Sequence, residues 1–273
     1  MKITLTDGTH IWYDLKGQGP LLVLNHGYGS SHKNFKYIVN TLSEKFTCLL
    51  WDQRGHGLSD SPIGETFEDT SKIYSVFQFA EDCFELLEKL NFIDNAEIGK
   101  FYMYGVSMGG MVSQIFALNH PDSLKAMILA STTSKTSQPI SKTLKSGKIP
   151  LSLDGKQLNM ELGFTKRFFK TYPEFSSTDI SENYLILDNT LILMPENVFG
   201  GFNVETKLTS LNIPVMILHG EDDDVMNVKE GIRLGKLIPN SISYLFPNTK
   251  HDINKEAPEK IVKKIYEFLC DMI

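Results

Sequence analysis

Phe101-Tyr102-Met103-Tyr104-Gly105-Val106-Ser107-Met108-Gly109-Gly110-Met111 is the stretch from which the rest of the chain takes its meaning. Phe101 to Tyr104 read as a short buried strand, and Met111 to Asn119 carry a helical pattern that stops at His120-Pro121. Between them, Gly105-Val106-Ser107-Met108-Gly109 spells Gly-x-Ser-x-Gly. Strand, sharp turn and helix is the context in which this motif holds a serine as a nucleophile elbow. The flanking glycines are needed because side chains there would collide with strand and helix. Taken alone the motif is weak, since a glycine-rich strand-to-helix turn without chemistry has the same spelling.

Outward from this stretch the chain alternates strand and helix. Lys2 to Thr6 and Thr9 to Leu15 read as a hairpin about Asp7-Gly8. Leu21 to Leu24 is an apolar run of the kind buried on both faces of a parallel sheet, and it leads into Asn25-His26-Gly27-Tyr28. A helix is predicted over about 34–43, and a strand from Phe46 to Trp51 ends in Asp52-Gln53-Arg54-Gly55-His56. A second helix is predicted from Tyr74 to Leu90, with Phe77, Ala80, Phe84, Leu87 and Leu90 on its apolar face. After the elbow comes a strand, Ala126 to Ala130. The rhythm then breaks at the Ser/Thr-rich Ser131 to Gln138 and resumes at Ile213 to Leu218. A helix (Val228 to Leu237), a strand (Ile242 to Phe246) and a helix (Pro258 to Cys270) complete the chain. This alternation predicts a parallel sheet covered on both faces. The segment between the breaks is rich in aromatics (Phe164, Phe168, Phe169, Tyr172, Phe175, Tyr184, Phe199, Phe202) and reads as a helical insertion over the sheet.

If Ser107 is a nucleophile, it needs a general base, and the base an orienting carboxylate. In this architecture they follow in the order serine, acid, histidine. Of seven histidines only His219 and His251 lie far enough along the chain, and His219 precedes the acidic run, so the order selects His251. The acidic run Asp222-Asp223-Asp224, which lies between Ser107 and His251, offers the candidate acids. Two backbone N–H groups are needed for an oxyanion hole: Met108 supplies one at its helix start, and the loop after the third strand supplies the other, from Tyr28.

Composition narrows the classes. With 273 residues, 41% of them hydrophobic, the chain can bury a large core. A net charge of −6 and no Lys/Arg stripe argue against nucleic-acid binding. Cys48, Cys83 and Cys270, an odd number widely spaced, read as free thiols. No signal peptide and no apolar run near the ~18 residues of a membrane span are present, so the expected setting is cytoplasmic, without a membrane partner.

The chain resembles the α/β-hydrolase superfamily, in its branch of esterases, enol-lactone hydrolases, carbon–carbon-bond hydrolases and cofactor-free haloperoxidase-like enzymes. The matching segments, in the family's order, are His26-Gly27, Asp52-x-Arg54-Gly55-His56-Gly57-x-Ser59, Gly105 to Gly110, Gly220-x-x-Asp223, and His251 with Glu256 and Pro258. Ser107 argues against the dehalogenases and epoxide hydrolases of similar outline, which place aspartate there. The resemblance implies a mostly parallel eight-stranded sheet covered by helices on both faces, with a helical lid inserted after the sixth strand. The core domain is then 1–133 with 212–273, and the lid 134–211. It selects Asp223 as the acid, giving Ser107, Asp223 and His251 as catalytic residues, with no metal and no cofactor. A carboxylic ester (or lactone or thioester) of a small to medium, largely apolar molecule is the expected substrate. Rival readings are carbon–carbon-bond hydrolysis of a β-diketone-like substrate and a triad-bearing small-molecule receptor or signalling module. Asp52, Arg54, His56 and His26 are expected to brace loops rather than touch substrate; a metal site from His26, His56 and the aspartate run has no supporting ligand spacing. Lys250 stands where the family usually has glycine, and a cation there would disfavour imidazolium at His251 or attract an anionic substrate.

Overall fold

The computed structural model describes residues 1–62, 73–93, 95–96, 99–136 and 198–272. Eight strands form one sheet: β1 (Lys2–Thr4), β2 (His10–Lys16), β3 (Leu21–Asn25), β4 (Thr47–Trp51), β5 (Phe101–Val106), β6 (Leu124–Ala130), β7 (Val215–Gly220) and β8 (Ser241–Phe246). Their spatial order is β1-β2-β4-β3-β5-β6-β7-β8. β2 runs antiparallel to both its neighbours, and every other pair is parallel. The carboxyl ends of β3, β4, β5, β6 and β7 therefore converge, as the apolar runs predict.

Alternate side chains divide the core into two layers, because successive residues of a strand face opposite sides. Leu21, Val23, Leu49, Met103, Met127 and Ile217 pack beneath α2 (Val76–Lys89), α3 (Met108–Asn119) and α5 (Val228–Leu237). Leu22, Leu24, Leu50, Tyr102, Ile128 and Met216 pack on the other face, under α1 (Val39–Leu42), α6 (Ile253–Glu256) and α7 (Pro258–Leu269). Before α5, the short α4 (Glu205–Leu208) returns the chain to the sheet, and Phe202, Val204, Leu208 and Leu211 join the first layer. Lys135 bridges Asn203 in antiparallel fashion, so the segment leaving β6 and the one entering α4 lie side by side. Phe164, Phe168, Phe169, Tyr172, Phe175 and Tyr184, the bulk of the expected helical lid, lie outside the described residues.

Two local expectations are corrected. The helix expected over 34–43 is a 3₁₀ turn (His32–Phe35) followed by α1, since Ile38 sits at φ −119° between them; Phe35, Ile38, Val39 and Leu42 still bury one stripe. The elbow helix starts at Met108, directly after Ser107, where the oxyanion argument expects it. The inward face of α2 is also rotated: Phe77 is exposed, and Val76, Phe79, Ala80, Cys83, Leu86 and Leu87 are buried.

The rotation of α2 follows from a buried charge. Asp82 faces inward and takes both Nε and Nη2 of Arg54 at 2.5 Å, while Nη1 donates to Asp7 at 2.8 Å. Arg54 and Asp82 are 2% and 1% exposed. Removing one partner leaves the other charge buried alone, which costs about 3–5 kcal/mol. Arg54→Met is therefore expected to lower the unfolding free energy by about that amount in urea titration. A loss below about 1 kcal/mol, as for an exposed pair, would contradict this.

Candidate active site

Ser107 ends β5 and precedes α3 with φ 54° and ψ −118°, in the left-handed region that L-residues avoid. Its N–H donates to Ala130 O at 2.9 Å, and its carbonyl accepts from Thr132 Oγ1 at 2.7 Å. Close backbone approach explains the motif's glycines. A Cβ on Gly109 would stand 2.0 Å from Asn25 O, and one on Gly105 would stand 2.3 Å from Gly109 O. Cβ atoms do not fit there, and α3 could not pack onto the end of β3.

His251 reaches Ser107 from the segment after β8. Its Nε2 lies 3.0 Å from Ser107 Oγ, and its Nδ1 lies 2.8 Å from Asp223 Oδ2. The expected serine, histidine and aspartate are thus brought together from residues up to 144 apart in sequence. Asp223 is buried in the turn after β7, and its other oxygen, Oδ1, accepts the N–H groups of Val225 (2.9 Å) and Met226 (2.7 Å). Asp222 and Asp224 are exposed. Burial alone would raise the Asp223 pKa, but the charge of His251 and the hydrogen bonds from His219 and His251 hold it well below the usual carboxylate range. Burial opposes charge on His251 as well, yet the facing Asp223 carboxylate outweighs it and raises the imidazole above its ordinary value.

Of the two expected oxyanion donors, Met108 follows Ser107 in the chain and Tyr28 lies on the loop after β3. Met108 opens α3, where the first N–H groups of a helix have no intrahelical acceptor. The β3 loop runs alongside, since a Cβ on Gly27 would stand 3.3 Å from Ser107 Cβ, and Tyr28 follows it directly. The Tyr28 ring meets Phe199 edge-on at 5.4 Å and His56 at 6.1 Å.

The bracing residues have defined partners. His26 Nε2 accepts from Gln53 N at 3.0 Å, which leaves Nδ1–H to donate to Gly27 O at 2.8 Å. Asp52 accepts from the backbone and ring of His32 and from Leu58 N. Burial pushes the pKa of His56 down to about 3. Lys250 directs its ammonium to Asp224 Oδ2 at 2.8 Å, so its charge is met on the surface. Among the described residues, no group of three or more His, Cys, Asp or Glu could hold a metal ion.

Sequence reasoning missed three supports. Asn25 is buried at the end of β3; its amide donates to Ser113 Oγ (2.8 Å) and accepts from Trp51 Nε1 (2.7 Å), joining β3, β4 and α3. Ser113 Oγ in turn donates to Gly109 O. His219, set aside as a base by its place in the chain, lies fully buried against Asp223. A polar residue at the end of an apolar strand was the available signal, since buried polar groups must be hydrogen-bonded.

The family model of the α/β hydrolase fold matches residues 20–258. The chain belongs to the α/β-hydrolase fold family. Among relatives, it is 27% identical, over 100% of this chain and 99% of the relative, to a Bacillus subtilis protein provisionally named a 2-succinyl-6-hydroxy-2,4-cyclohexadiene-1-carboxylate synthase. It is 24% identical to 3-oxoadipate enol-lactonase 2 of Acinetobacter baylyi, over 88% of this chain and 85% of that one. The enol-lactonase of Burkholderia xenovorans superposes with a TM-score of 0.84 at 20% identity, covering 99% of this chain and 100% of that one. This α/β hydrolase therefore shares its fold with hydrolases, which supports hydrolase activity. Among the described residues, no helix is long and apolar enough to cross a membrane.

Proposed function

We propose that this α/β hydrolase is a serine hydrolase that cleaves a carboxylic ester, lactone or thioester of a small to medium, largely apolar molecule through an acyl-enzyme. The observation that carries the reading is the relay Ser107 Oγ–His251 Nε2 (3.0 Å) and His251 Nδ1–Asp223 Oδ2 (2.8 Å) on a strained elbow. His251 takes the Ser107 proton as Oγ attacks the acyl carbonyl, and Asp223 stabilises the imidazolium that forms. The N–H groups of Met108 and Tyr28 receive the oxyanion, each donor being worth about 3 kcal/mol at the transition state. His251 then protonates the departing alcohol and activates the water that releases the acid. Residues 134–211 form the lid in this reading; Phe199 against Tyr28 supports an apolar wall beside the oxyanion loop. A small-molecule substrate, as named for the enol-lactonase relative, fits the same reading.

The test is hydrolysis of p-nitrophenyl esters of graded chain length as a function of pH. Only neutral His251 can accept the Ser107 proton. Its pKa is raised by Asp223, so kcat/KM should fall as pH drops through a value above ~6.5, that of ordinary imidazole. Asp223, shifted down, stays ionised throughout and adds no second limb. Turnover of a β-diketone with none of any ester, or an acid limb below ~6, would overturn the reading.

A further inference from the structure

We propose that His219 is a positioning residue for the acid of this site, its Nε2–H shared between the Met226 carbonyl and the Asp223 oxygen that faces His251. The inference rests on the serine-hydrolase reading above and extends it to a residue outside the relay. His219 Nε2 lies 2.7 Å from Met226 O and 3.3 Å from Asp223 Oδ2. A carbonyl oxygen carries no hydrogen, so Nε2 must be the protonated nitrogen. Nδ1 is buried without a hydrogen-bond partner, as suits a bare nitrogen. The ring cannot swing away: it is 0% exposed, and a Cβ on Gly231 of α5 would stand 2.6 Å from Nδ1.

The Asp223 carboxylate thus meets four donors. Val225 N–H and Met226 N–H occupy Oδ1, and His251 and His219 share Oδ2. A second donor on Oδ2 withdraws charge from the oxygen that holds the His251 proton. Without it, Oδ2 is a stronger partner for imidazolium, and His251 stays protonated to higher pH. The other charged groups around His251 are Asp252 and Lys255 on its own segment. Lys250 is paired with Asp224, and Glu230 on α5 is turned to Thr133.

Labelling of Ser107 by a fluorophosphonate reads base activation directly, whatever the natural substrate. Labelling rates should be measured against pH for the wild type, His219→Asn and His219→Gln. A Gln amide can place its N–H near the Nε2 position, and an Asn amide falls short of it. In His219→Asn the acid limb should move up by about one pH unit, with labelling about tenfold slower below the limb and a plateau within about threefold. His219→Gln should keep the wild-type limb. If the asparagine variant does not fold, His219→Leu, which fills the space without an N–H, takes its place. A donor-less variant whose limb stays put while the rate falls uniformly has lost only structure, and that result overturns the proposal; so does a glutamine variant that behaves like it. A wild type that is not labelled at Ser107 at any pH overturns the serine-hydrolase reading, and this inference with it.

Discussion

Ser107→Ala is expected to abolish fluorophosphonate labelling and to lower ester turnover by ~10⁴ to 10⁶. The magnitude follows from the loss of the only atom that attacks, with the oxyanion donors and the base left in place. The fold should survive. Alanine keeps the Cβ at φ 54° and therefore adds no strain to the turn. The backbone ties of residue 107, its N–H to Ala130 O and its carbonyl to Thr132 Oγ1, do not involve the lost hydroxyl. The hydrogen bond that disappears is to a histidine whose side chain is 16% exposed, where water can replace the partner. The melting temperature should thus stay within a few degrees of wild type. A variant that folds and keeps more than a tenth of the activity would show that Ser107 is not the nucleophile.

The second large effect is expected at the acid. Asp223→Asn should cost ~10⁴ in turnover, by analogy with serine proteases. The geometry gives the reason. Oδ1 already accepts two backbone N–H groups, from Val225 and Met226, so the asparagine carbonyl oxygen must occupy that side. Its NH₂ group is then turned toward His251 Nδ1. His251 Nδ1 can only accept from that group, which moves the ring proton to Nε2, where it faces Ser107 and cannot take the hydroxyl proton. Asp222→Asn and Asp224→Asn alter exposed carboxylates screened by salt and should each cost less than about tenfold. Asp224→Asn also releases Lys250 from its ion pair, and a small shift of the acid limb is the most that it should cause. A crippled Asp222 or Asp224 variant beside a nearly silent Asp223→Asn would reverse the assignment.

Much of this molecule is determined by sequence features that act locally. Period and order are enough for the sheet: apolar runs such as Leu21 to Leu24 and Val215 to Leu218 suit only strands covered on both faces. The glycines about Ser107 point to a sharp strand-to-helix turn because any Cβ there meets backbone. The order of serine, acidic run and histidine along the chain singles out His251 without any coordinates. Choosing among Asp222, Asp223 and Asp224 needed the motif as well as the run, and the turn that uses Val225 and Met226 N–H groups to hold Asp223 is a tertiary fact. Val225 itself ends 44% exposed, although its N–H holds Asp223.

Other features could be decided only by the packed structure, because they depend on which distant group satisfies a buried polar atom. The apolar spacing of α2 allows more than one inward face, and the need of Asp82 for Arg54, 28 residues away, selects the one that leaves Phe77 in solvent. Asn25 looks like the end of a strand until Ser113, 88 residues on, supplies its hydrogen bond. His219 is one more strand residue until the turn after β7 folds Asp223 and the Met226 carbonyl back onto its Nε2. Hydrophobic periodicity is written along the chain, whereas the partner of a buried polar group is fixed only when two segments meet, and leaving such a group unpaired costs about 1–3 kcal/mol.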